Sequence, residues 1–94
     1  MLTLEARREF PTNKEIEDYL INTGWNYVGI HLSPDGRPEK RYKHRNMWVH
    51  EHLYLPTYVQ EFEYMNIWIH SAISSIAKCE KVDELTAYER IMKG

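Results

Sequence analysis

Trp25-Asn26-Tyr27-Val28-Gly29-Ile30-His31-Leu32 runs into Ser33-Pro34-Asp35-Gly36-Arg37-Pro38, and Lys40-Arg41-Tyr42-Lys43-His44-Arg45-Asn46-Met47-Trp48-Val49-His50 follows. The first run is β-branched and aromatic, the composition of a pleated, half-buried strand. The second is a dense turn signal, in which Pro presets φ and Gly supplies the left-handed conformation. The third can return antiparallel to the first, so the stretch reads as a β-hairpin with a loop of about six residues. A hairpin alone is marginal in water, so helices must cover it. Residues 1–10 fit either a third strand, with Leu2, Leu4 and Ala6 alternating, or a charged helix.

The period of two sorts this hairpin into faces. Val28, Ile30 and Leu32 fall on one side of the first strand, with Trp25, Tyr27 and His31 on the other. Read as one continuous return strand, residues 40–50 place Arg41, Lys43, Arg45, Met47 and Val49 together, opposite Tyr42, His44, Trp48, His50 and His52. The expected ribbon is buried on both sides at its base, with a tip from Arg37 to Arg45 in water.

Working outward, Thr12-Asn13-Lys14-Glu15 has the spacing of a capping box, and Ile16, Tyr19, Leu20 and Thr23 follow at helical intervals. Gly24 then suits the left-handed position beyond a helix end, which predicts a helix over about residues 13–23. On the other side, Thr57-x-x-Gln60 repeats the capping-box spacing. Tyr58, Phe62, Met65, Ile69, Ala72, Ile76 and Cys79 form a stripe at separations of three and four. The stripe predicts a long central helix over 58–79, on the order of 33 Å at 1.5 Å per residue. A short C-terminal helix is expected from Val82 to Met92, with Val82, Leu85, Tyr88 and Met92 as its apolar face and Asp83 and Glu84 complementing the dipole of its first turn. The predicted fold class is therefore α+β: helix, β-hairpin, long helix, short helix.

Composition fits one such unit. The chain has 94 residues, 43% hydrophobic and 28% charged, which supports a single core across 1–94 and leaves no room for a second lobe. Three Trp, seven Tyr and two Phe carry much of the burial energy. A lone cysteine, Cys79, cannot form an internal disulfide and points to a reducing compartment. The charged N-terminal residues do not resemble a signal peptide, and no apolar run is long enough for a membrane helix, so a cytoplasmic protein without membrane contact is expected.

The net charge of -2 conceals an uneven distribution. Residues 1–36 sum to -3, residues 37–52 to +3 and residues 53–94 to -2. Arg41, Lys43 and Arg45, interleaved with Tyr42 and Trp48, have the composition of a ribbon that touches phosphates while a ring stacks on a base. The plainer reading is a charged strand that blunts a sheet edge. On the long helix, Tyr64, Ile67 and Trp68 fall off the main stripe, and an apolar second face of that kind must meet either the hairpin or a partner.

No catalytic constellation emerges. Cys79 sits on the core stripe, where a free cysteine behaves as a small hydrophobe. Ser71, Ser74 and Ser75 have no base at a recognisable spacing, and the pairs Glu15/Glu17 and Glu61/Glu63 diverge on a helix. His44, His50 and His52 alternate on one predicted face with His31 across from them. Their spacing defines no metal motif, however, and a hydrogen-bonded histidine face against rings is the expectation. No metal or cofactor is expected.

These features describe a small non-enzymatic interaction protein that docks an aromatic and charged surface on a macromolecular partner, either another protein or a second copy of itself. Domains of this kind occur among accessory proteins of phages and other mobile elements, including inhibitors of host machinery, although no motif here marks that setting. The alternative is a nucleic-acid-binding domain that uses the basic hairpin 37–50.

Overall fold

A computed structural model of the chain describes residues 11–53, 58–59, 64–65 and 67–93. Its order is α1 (Asn13–Asn22), β1 (Asn26–Leu32), β2 (Pro38–His44), β3 (Met47–His52), β4 (Tyr58–Val59), β5 (Tyr64–Met65), α2 (Ile67–Glu80) and α3 (Glu84–Lys93). The fold is α+β, with the expected succession of helix, antiparallel strands, helix and helix. Residues 1–10 and the Thr57-x-x-Gln60 spacing fall outside the described residues.

Local chemistry sets the helix ends. The Thr12 hydroxyl accepts from the Glu15 amide at 3.2 Å, and the Thr12 amide donates to the Glu15 carboxylate at 3.0 Å, completing the capping box. At the other end Gly24 takes φ 94, and Trp25 N–H closes onto the Leu20 carbonyl at 2.9 Å. Asp83 caps α3 by accepting from the Thr86 amide at 2.7 Å, and that bond holds its carboxyl below the usual range.

The run 40–50 is not one strand. It folds back at Arg45-Asn46, giving a three-stranded antiparallel meander in the order β1-β2-β3, with β2 in the centre. Arg45 carries φ 56, a left-handed conformation rare outside glycine, in a two-residue connection with none of the usual glycine signal. The segment expected as a tip, Arg37–Arg45, thus holds the central strand Pro38–His44, with only Arg37 and Arg45 left in the exposed flanking turns.

This fold-back also changes which side chains share a face. Tyr42 pairs with Val49, Lys40 with Glu51 and His44 with Met47 on the inner face, whereas Lys43 pairs with Trp48, Arg41 with His50 and Glu39 with His52 on the outer face. In β1 the register slips between Tyr27 and Gly29, where Gly29 sits at φ 111. This bulge brings Tyr27 onto the side of Ile30 and Leu32, opposite Tyr42, Lys40 and Pro38, and puts His31 beside Glu39 on the outer side.

The expected helix over 58–79 is shorter at its start. Tyr58–Val59 pairs antiparallel with Tyr64–Met65, and α2 begins only at Ile67. A stripe at three-and-four spacing cannot by itself exclude two short strands followed by a helix. Where α2 does run, it buries Trp68, Ile69, Ala72, Ile73, Ile76 and Ala77, with β3 on one side and α3 on the other. Ile16 and Leu20 of α1, Tyr42 and Val49 of the sheet, and Ala87, Tyr88 and Ile91 of α3 complete the core. Glu80 ties the three helices together, accepting from the Tyr19 hydroxyl and pairing with Arg90 at 2.6 Å.

Candidate functional site

The outer sheet face gathers most of the basic and aromatic candidates. Trp48 is 42% exposed, with the Lys43 ammonium 5.3 Å from its ring centroid and the His50 ring edge-on at 6.1 Å. A cleft of about 340 Å3 lies beside it, lined by Trp48, His50, His52, Trp68 and Ser71. Glu39 is buried at the back of this face and takes Arg41 Nη2 at 2.9 Å, with His50 and His52 at 3.5 and 3.4 Å. Burial pushes the His50 imidazole below its ordinary value, against the opposing pull of Glu39. Arg41 already satisfies the Glu39 carboxylate. Among the described residues no group of three or more His, Cys, Asp or Glu side chains is arranged to hold a metal ion.

Two predicted contact residues are buried instead. Tyr42 belongs to the inner face and is 3% exposed, its hydroxyl donating to Glu51 at 3.3 Å and its ring 5.3 Å from Tyr27, so it cannot stack on a ligand. Trp68 is 2% exposed, with its ring 6.4 Å from His52. It forms one wall of the outer cleft and offers no free docking surface. Arg45 is exposed in the β2–β3 turn, at the end of the outer face. The side chains of Tyr64 and Ile67 lie outside the described residues.

A second cluster lies between α1 and the inner face. Glu51 is fully buried, its Oε1 accepting from Tyr42 and its Oε2 without a hydrogen-bond partner among the described residues, while Lys40 Nζ reaches Glu17 Oε2 at 3.2 Å. Burial, then the neighbouring carboxyl, raises the Glu51 pKa to about 7, and the bond to Glu17 raises that of Lys40. Desolvation also pushes the Tyr42 phenol upward.

The third feature is apolar. Ile21 on α1 and Tyr27, Val28, Ile30 and Leu32 on β1 are all exposed, Ile30 by 57% and Leu32 by 68%. Ile21 and Tyr27 meet across a shallow cleft that also contains Glu17 and Asp18. β1 is an edge strand, its outer side without a strand partner among the described residues.

The chain matches no family model, no curated protein and no solved structure. What it does must be argued from these three features. The outer face can offer rings and cations to an anionic, planar ligand. The carboxyl pair can hold and release a proton within the fold. The β1 edge can offer backbone hydrogen bonds and apolar area to another chain. Alternation alone could not locate the edge patch, because the bulge reverses the parity of Tyr27 relative to Ile30. Gly29 inside a strand pattern was the available signal for that bulge. Nothing in the sequence links Glu17 to Glu51, which pair only through tertiary docking. No helix among the described residues is long and apolar enough to cross a membrane.

Proposed function

We propose that this protein is a small non-enzymatic interaction module that docks a protein partner on the surface shared by the end of α1 and the edge strand β1. One observation carries the reading: Ile21, Tyr27, Val28, Ile30 and Leu32 are exposed on adjoining elements. Scattered exposed aliphatics are ordinary, but a contiguous apolar patch on a small domain marks a contact surface. Tyr27, Val28, Ile30 and Leu32 lie along β1, which has no strand partner on its outer side among the described residues, so the partner they fit is an extended strand. Such a strand hydrogen-bonds to the β1 backbone and lays alternate apolar side chains on Tyr27, Ile30 and Leu32.

A photo-crosslinking amino acid placed at Ile30 in the native host tests this, with the same group at Lys93 on α3 as control. A protein adduct at Ile30, absent at Lys93 and removed by Leu32→Glu, supports the reading. An adduct to a second copy identifies self-association, which sedimentation over a wide concentration range would register independently. A chain that stays monomeric and gives no adduct at Ile30 overturns the proposal.

A further inference from the structure

The outer sheet face lies on the opposite side of the sheet from the Tyr27, Ile30 and Leu32 side chains and has chemistry of its own. We propose that the cleft bounded by Trp48, His50, His52, Trp68 and Ser71 binds single-stranded nucleic acid, stacking one base on Trp48 with the adjoining phosphates on Lys43 and Arg41. The Trp48 ring is accessible, and the Lys43 ammonium at 5.3 Å shows that a cation already uses its π-face. A base arriving on that face keeps the ring contact and frees the ammonium for a phosphate. The cleft of about 340 Å3 is near the lower limit of small-ligand sites, roughly 300–1,000 Å3, and so fits one nucleotide. Ser71 and the imidazole of His50, whose pKa lies below its ordinary value, bring polar groups to the cleft, as base edges require.

Charge complementarity favours an anion here. Arg41 directs Nε and Nη2 to Glu39 at 3.0 and 2.9 Å, which neutralises that carboxylate and leaves further guanidinium donors for a phosphate. Lys43 is exposed beside it, and Arg45 continues the basic face into the turn. A flat strand face with a pocket for one ring suits unstacked bases, because duplex readout needs an element that enters a groove. An acidic peptide would satisfy the cations but would leave the Trp48 ring and the cleft unused.

Fluorescence anisotropy with labelled oligothymidylate and oligouridylate, run alongside the intrinsic tryptophan signal, tests the site. Binding that quenches tryptophan at low salt is expected. Trp48→Ala should weaken it about five- to a hundredfold with the circular dichroism spectrum unchanged, while Trp48→Phe retains most of it. Lys43→Ala should reduce the slope of log affinity against log salt by about 0.7, the value of one single-strand phosphate contact. Lys93→Ala should change neither. Absence of binding at about 50 mM salt, equal affinity of Trp48→Ala, or equal binding of duplex would overturn the proposal. So would displacement by polyglutamate as effective as by unlabelled oligonucleotide. None of these outcomes bears on the β1 edge, so the two proposals fail separately.

Discussion

The Tyr42 hydroxyl of β2 donates to the fully buried Glu51 of β3 at 3.3 Å, and the other carboxyl oxygen of Glu51, Oε2, is buried with no hydrogen-bond partner among the described residues. Burial first, and then the neighbouring Glu17 carboxyl, favour the protonated form of Glu51 and raise its pKa. Lys40, whose ammonium lies 3.2 Å from Glu17, opposes that rise. Asp18 and Tyr27 line the neighbouring cleft. The docking of α1 on the sheet is thus linked to pH.

The sign follows from the raised value. In the unfolded chain Glu51 loses its proton near its ordinary 4.5, and in the fold only near about 7. Between those limits the folded state binds more protons, so stability falls as pH rises and levels off above the upper limit. The loss is about 3 kcal/mol, from a rise of 4.5 to about 7 at 1.36 kcal/mol per pKa unit. Glu51→Gln keeps an acceptor for Tyr42 without a proton to lose. Urea denaturation across this window should give a falling midpoint for the native chain and a flat one for the variant. A native midpoint that rises instead would show that Glu51 does not hold its proton in the fold.

The two tryptophans of the outer cleft should separate cleanly in stability. Trp68 is 2% exposed within the core of α2, so Trp68→Ala leaves a large cavity and should cost about 3–5 kcal/mol. Trp48 is 42% exposed and holds no core position, so Trp48→Ala should cost less than about 1 kcal/mol. Thermal melts of the two variants check the contrast. Equal losses would mean that Trp48 is structural, which would remove the reason to treat it as a binding ring.

How far the sequence could be read depended on the range of the interactions. The capping box at Thr12 and Glu15, the Gly24 helix end and the α3 start near Asp83 are local, and each residue sits where its backbone partners are. The α+β class followed from them and from the β-rich stretch at 25–50. What failed was parity. One residue of bulge at Val28 and two of turn at Arg45-Asn46 each reset the alternation, so Trp48, His50 and His52 came onto the face of Arg41 and Lys43 while Tyr42 stayed opposite them. The candidates Arg41, Lys43 and Trp48 do meet, but across a strand pair that no single-strand reading contains. The expected helix start at Tyr58 failed because the stripe there was shared with the β4–β5 pair.

The bulge can be tested directly. Gly29 takes φ 111, and a Cβ added there would meet nothing within 4 Å, so any cost of a side chain comes from the backbone alone. Gly29→Ala should therefore lose about 1–2 kcal/mol, from the left-handed conformation and not from a clash. A Gly29→Asn variant, which tolerates that conformation better, should recover part of the loss. Chemical denaturation of the three proteins decides it, and an alanine variant as stable as the native chain would place Gly29 outside the left-handed region.

Charge on the β1 edge should have little effect on the fold and a large effect on contact. Ile30 and Leu32 are 57% and 68% exposed, so Ile30→Glu and Leu32→Glu remove little buried area, and each should shift stability by no more than about 0.5 kcal/mol. Carboxylates at those positions would have to be desolvated against an apolar partner strand, which is how natural sheets protect their edges. The double variant should bind less of an apolar-surface dye than the native chain and should lose any partner or self-association made through β1. Dye binding read together with the urea midpoint tests both halves. A midpoint that collapses in the variants would show that these side chains are covered in the native fold, and the apolar patch would then belong to the core.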